Sequence, residues 1–180
     1  MRKLVFVVIS LLFICGCGVD IQKADKVTKE DIISFEYSLP DDNPFDYLEK
    51  EELENFLDKS TGILIISNPD YEFSAYFIKQ FNYLLEDYDI NEVYYYDFSK
   101  LKELSVSIKD KLEIKEDYQI EKPEFYIIKD GMLVKKYDLE SFDIEDIDIG
   151  ENNEFENNIN EVYTNIICDL YKDKCDEKKN

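Results

Sequence analysis

The chain has 180 residues, with 21 Lys and Arg against 42 Asp and Glu, no histidine and no tryptophan, so its formal charge is −21. A field of that sign repels phosphate backbones and anionic head groups and excludes nucleic acid as a partner, while the missing histidine removes the commonest general base, every Ser-His-Asp or Cys-His arrangement and the commonest zinc ligand. Fourteen tyrosines and twelve phenylalanines, with abundant isoleucine and leucine, supply core material for one domain of ordinary size.

Arg2 and Lys3 open the chain, an almost unbroken apolar run follows over residues 4–14, and Ile14, Cys15, Gly16 and Cys17 close it. An apolar stretch of about 11 residues suits a signal-peptide core and falls short of the roughly 20 that a membrane span needs. The ending resembles the lipobox of bacterial lipoproteins, in which an aliphatic residue and one or two small residues precede the cysteine that receives a diacylglycerol and becomes the mature N-terminus. Cys17 fits that place, with Gly16 before the cut and Ile14 three residues back, whereas Cys15 puts bulky Ile14 at the cut. The resemblance implies a signal peptide over residues 1–16, lipidation of Cys17, and a membrane-anchored protein on the extracytoplasmic face of the cell. An ordinary secretory signal with incidental cysteines is the alternative. Loss of Arg2 and Lys3 with the leader makes the mature chain two units more negative still. Such a surface suits a basic peptide or a basic protein face, and it also serves simple solubility. Heavy use of Ile, Asn, Lys, Asp and Tyr fits an AT-rich genome and hence a low-GC Gram-positive source.

After the lipidated end, residues 17–31 are polar and aperiodic and read as a tether whose random-coil span is about 20 Å. A globular domain is expected over residues 32–171. Residues 32–38 form a possible opening strand. Asn43 followed by Pro44 signals a helix start, and that helix is expected to run to Lys59 and bury Leu48, Leu53, Phe56 and Leu57. Ile63 to Ile66 are too apolar to have a wet face, which is how a central strand covered on both sides reads. Phe73, Phe77, Phe81, Leu84 or Leu85 and Tyr88 recur at helical spacing. Residues 92–98 are rich in aromatic strand formers, and Ser99 is placed to cap a helix with the stripe Leu101, Leu104, Ile108 and Leu112. Beyond Pro123, Asp130-Gly131 between two strand-like runs is a strong hairpin signal. Phe155, Ile159, Val162, Ile166 and Leu170 mark a last helix, and residues 172–180 read as a polar C-terminal tail. The order β-α-β-α-β-α-β-β-α implies an α/β fold, a mixed central sheet with helices on both faces.

Gly62 to Phe77 resembles the strand, active-site turn and helix start of thioredoxin, and residues 118–131 resemble the segment that carries the family's cis-proline and enters its Asp-Gly or Asn-Gly hairpin. The likeness spans about residues 32–171. It implies a thioredoxin-like fold with a cis peptide before Pro123, although a proline merely opening a strand gives the same local pattern. It also implies a groove for an extended peptide, lined by Tyr71, Phe73, Ser74, Tyr118, Lys122 and Pro123. The departures are chemical. Tyr71 and Ser74 stand where the family has its two cysteines, and a phenol and an alcohol cannot undergo thiol exchange. Ile65 replaces the carboxylate that the family tends to place six residues before the first cysteine. The site reads as redox-dead, with no catalytic residue, no metal and no cofactor expected.

Between Tyr137 and Tyr171 there is no Lys or Arg against eleven acids, but their spacing fits no EF-hand and reads as an acidic loop and helix face. Cys168 and Cys175 are an even pair for a possible disulfide. In one continuous helix their Cα atoms would lie about 10 Å apart, beyond the roughly 7 Å a bridge spans, so bonding requires the helix to end near Tyr171. The reading is a tethered binding or accessory module without enzymatic activity. One alternative is a thiol-disulfide oxidoreductase using Cys168 and Cys175. Another is an accessory to bacteriocin export or immunity that binds a cationic peptide, since small thioredoxin-like proteins accompany such export, although those usually keep Cys-x-x-Cys.

Overall fold

The computed structural model describes residues 39–40, 42–68, 72–115, 122–139, 141–142 and 153–178, the side chains at 72, 73, 75, 153, 154 and 156 excepted. Cys17, the tether and the expected strand over 32–38 lie outside the described residues. The elements in chain order are β1 (Phe45–Tyr47), α1 (Lys50–Lys59), β2 (Gly62–Ser67), α2 (Glu72–Asp87), β3 (Val93–Asp97), a 3-10 helix (Phe98–Glu103), α3 (Val106–Lys111), β4 (Glu124–Lys129), β5 (Met132–Tyr137), α4 (Asn153–Leu170) and α5 (Lys172–Lys178). They make an α/β fold around a five-stranded mixed sheet of order β1-β3-β2-β4-β5. β1 and β2 each run parallel to β3, β4 is antiparallel to β2, and β5 to β4.

β2 is buried along its whole length and alternates between two cores. Ile63 and Ile65 join Phe77, Phe81, Phe125, Ile159 and Tyr163 under α2 and α4, and Leu64 and Ile66 join Leu53, Phe56, Leu101, Ile108 and Tyr126 under α1 and α3. Because strand side chains alternate, a continuous apolar run has no wet face and is stable only between two layers. Each such side chain buried contributes on the order of 1.5–3 kcal/mol. In the first core Phe81, Phe125 and Tyr163 pack ring to ring at 4.9–5.6 Å. The Tyr163 hydroxyl donates to the Phe77 carbonyl at 2.9 Å, so a fully buried phenol keeps a partner, and burial drives its pKa up.

The Asp130-Gly131 hairpin forms as expected, with both residues at positive φ. Its tip lies against the end of α1. Gly131 N donates to the Ser60 carbonyl at 2.9 Å, and a Cβ at Gly131 would stand 2.4 Å from the Asp58 carbonyl carbon.

Four expectations need correction. Asn43 does not start a helix: its side chain accepts from Phe45 N at 3.0 Å and donates to the Pro40 carbonyl at 2.9 Å, a turn that delivers Pro44 to β1. α1 instead begins after Glu49, where Glu49 and Glu52 form a capping box, and Leu48 is buried from the segment before it. Ser99 is not a cap either. Asp97 accepts from Ser99 N at 2.7 Å to open the 3-10 helix, and Ser105 caps α3 separately. The stripe Leu101, Leu104, Ile108 and Leu112 is buried all the same, carried by two short elements rather than one helix. In α4, Tyr163 and Ile167 are buried where Val162 and Leu170 are only partly so. Finally, residues 172–178 are not a tail: they form α5, and Cys175 reaches the core.

Candidate functional site

α2 leaves the C-terminal end of β2 toward one face of the sheet, and the 3-10 helix leaves the C-terminal end of β3 toward the other, as the membership of the two cores records. Where neighbouring parallel strands send their connections to opposite faces, a crevice opens outside their carboxyl ends, the usual ligand position in such sheets. Here that position falls at the Ser67 and Asp97 pair, the carboxyl ends of β2 and β3. The same end of the sheet receives the start of β4, since Glu124 pairs with Ile66.

Ser67 and Ser74 are both buried there, and the hydroxyl of each lacks a hydrogen-bond partner among the described residues. The Tyr95 hydroxyl donates to the Ser67 carbonyl at 3.4 Å. On the other face Glu124 is 2% exposed, and its carboxylate is held by Lys136, with Nζ 2.6 Å from Oε1, and by the hydroxyl of Tyr126. Burying a carboxylate is tolerable only when it is paired and hydrogen-bonded in this way. At the end of β1, Lys100 sits 2.9 Å from Glu49 and 4.7 Å above the Tyr47 ring. Burial opposes the charge on Lys100, but hydrogen bonds to Tyr47 and Glu49 outweigh it and raise the pKa.

Of the groove residues expected from sequence, Tyr71 and Tyr118 and the side chain of Phe73 lie outside the described residues. Ser74, Lys122 and Pro123 come to the same end of the sheet. The Lys122 ammonium donates to the Phe142 carbonyl and so anchors a loop. Pro123 is buried, and its peptide is trans, since no peptide among the described residues is cis. That corrects the expected cis-proline. Pro123 only opens β4, where a missing N–H is harmless, and nothing in that role calls for the less stable isomer. Sequence reasoning missed Glu124, which reads as a polar flank of an apolar strand, and its partner Lys136. The only signal was a carboxylate directly ahead of a fully apolar run.

Cys168 and Cys175 are disulfide-bonded, with Cα atoms 5.7 Å apart. Tyr171 stands between α4 and α5 and ends the helix between them, which brings the two sulfurs within reach. The bond lies at the opposite end of the sheet from Pro123. Lys174 of α5 holds Asp89, just after α2 and before β3, and Lys129 at the end of β4 donates to the Asp169 carbonyl. No thiol therefore lies at this end of the sheet among the described residues, and Ser74 has no histidine to activate it. What this end of the sheet offers is hydrogen bonding from the Ser67 and Ser74 hydroxyls. Beside it, Phe142 and Phe155 floor an open hollow of about 400 Å³ rimmed by Asn158, Glu161 and Asn165. Among the described residues no group of three or more acidic or cysteine side chains is placed to hold a metal, and no helix is long and apolar enough to cross a membrane. No protein-family model matches the chain, and no curated protein or solved structure matches it significantly.

Proposed function

We propose that the protein is a lipoprotein tethered through Cys17 to the extracytoplasmic face of the membrane, whose thioredoxin-like domain has no dithiol chemistry and works as a binding or accessory module. The strand order β1-β3-β2-β4-β5, in which β4 is the one strand that runs against the others, supports the thioredoxin-like reading. The trans peptide at Pro123 departs from it. The observation that carries the functional reading is a hydroxyl, Ser74, buried at the head of α2, while the cysteine pair is already oxidised and faces the far end of the sheet. A helix head without a thiolate cannot attack a disulfide. It can still orient a bound segment through backbone and hydroxyl groups, and an acidic molecule favours a basic partner, a cationic peptide of export or immunity systems being one class.

Three measurements test this. Metabolic labelling with a fatty acid marks the wild type and not Cys17→Ser, which is released from the membrane; a labelled serine variant refutes the anchor. Insulin reduction by the purified protein stays at background. Turnover that disappears with Cys168→Ser or Cys175→Ser restores the oxidoreductase alternative. Cationic peptides bind at low salt and dissociate as salt rises, and absence of any such binding removes the basic-partner reading.

A further inference from the structure

We propose that the Cys168–Cys175 disulfide is a latch on α5, and that its reduction by a dithiol frees α5 from the corner where α2 ends and β3 begins.

α5 has seven residues, well below the roughly 12–15 at which an isolated helix becomes even marginal in water. Six of its seven side chains are charged, and Cys175, 4% exposed, is the one that enters the core. The ties of Lys174 and Lys178 to the body lie at the surface. Lys174 meets Asp89 at 2.9 Å and Lys178 meets Asp87 at 3.8 Å, with both carboxylates mostly exposed, and Lys178 lies 4.4 Å from the Tyr88 ring centroid. Exposed pairs of this kind contribute little and weaken with salt. The break at Tyr171 also forfeits the helical continuity that would otherwise carry order from α4 into α5. Beside these surface pairs, the covalent bond through the buried Cys175 is the strong tie on a short, charged helix.

The chemistry balances with a dithiol as the named reductant. Its thiolate attacks the half-buried sulfur of Cys168, the S–S bond breaks, and Cys175, the buried sulfur, leaves as a thiolate. The second thiol of the reductant then displaces Cys168. Two electrons and two protons pass to the protein, and the dithiol becomes a disulfide. Asp87 and Asp89 lose their lysine partners as α5 departs.

Hydrogen exchange read by mass spectrometry on the full-length chain tests the latch, before and after dithiothreitol, with alkylation of both cysteines confirming reduction. The expected result is exchange at least about tenfold faster over residues 172–178, with β2 and β4 as protected as before. The double variant Cys168→Ser, Cys175→Ser shows the same release without reagent. Retained protection of α5 in the reduced chain overturns the proposal. Loss of protection in β2 and β4 together with α5 overturns it equally, because the bond would then support the whole fold.

Discussion

Glu124 and Lys136 illustrate how one buried residue sets the tolerance of its neighbours. With Nζ 2.6 Å from a carboxylate 2% exposed, deleting the ammonium leaves a charge in a dry site. Lys136→Met is expected to cost about 3–5 kcal/mol in denaturant unfolding, and adding Glu124→Leu is expected to recover most of it, because an apolar pair needs no desolvation. A cost below about 1 kcal/mol for Lys136→Met shows that the carboxylate finds water or another donor. Gly131 is constrained for a different reason. Its φ of +73° strains any L side chain, and the Asp58 carbonyl occupies the space a methyl needs, so Gly131→Ala is expected to lose about 2 kcal/mol or more in the same measurement.

Between elements, β5 is fastened to α4 by Lys135, Tyr137 and Asp169. Lys135 and the Tyr137 hydroxyl reach Asp169 Oδ2 at 2.9 and 2.5 Å. Hydrogen bonds from Tyr137 first and Lys135 second hold the Asp169 pKa below its ordinary value. A depressed acid stabilises the fold above the unfolded pKa, and that contribution fades as pH falls through the lowered folded value. Asp169→Asn is therefore expected to be less stable than wild type at neutral pH, with the gap closing below about pH 4. A gap that is constant down to pH 2 in acid titrations of stability contradicts the assignment. The cap of α3 is simpler. Ser105→Ala removes the acceptor for Ile108 N and is expected to cost about 1 kcal/mol, without disturbing the separately capped 3-10 helix.

For the whole molecule the dominant quantity is a formal charge of −21 on 180 residues. Repulsion among so many carboxylates opposes the compact state, and at 0.1 M salt the screening length is already about 10 Å. Raising sodium chloride from about 10 mM to about 500 mM is expected to raise the thermal midpoint by several degrees. A midpoint that falls with salt indicates that attractive pairs such as Lys100 with Glu49 outweigh the repulsion. The same charge makes capture of a cationic partner fast and salt-sensitive, which ties the binding assay to a property of the molecule as a whole.

Sequence by itself determined the elements whose signal is local: the apolar run of β2, the sixteen-residue periodicity of α2, the Asp130-Gly131 turn, and the absence of sulfur at position 74. It also required a helix end near Tyr171 for any bond between Cys168 and Cys175. Only the tertiary structure decided that Asn43 turns the chain instead of starting a helix, that Ser99 yields to Asp97 and Ser105, that Pro123 stays trans, and that α5 docks. It decided too that Glu124 is a buried partner of Lys136 and not a wet strand end. The division has a physical cause. Periodicity and turn preference act over a few residues, whereas which polar atom is dehydrated, and which distant atom compensates it, depends on layers that meet only after the chain has folded.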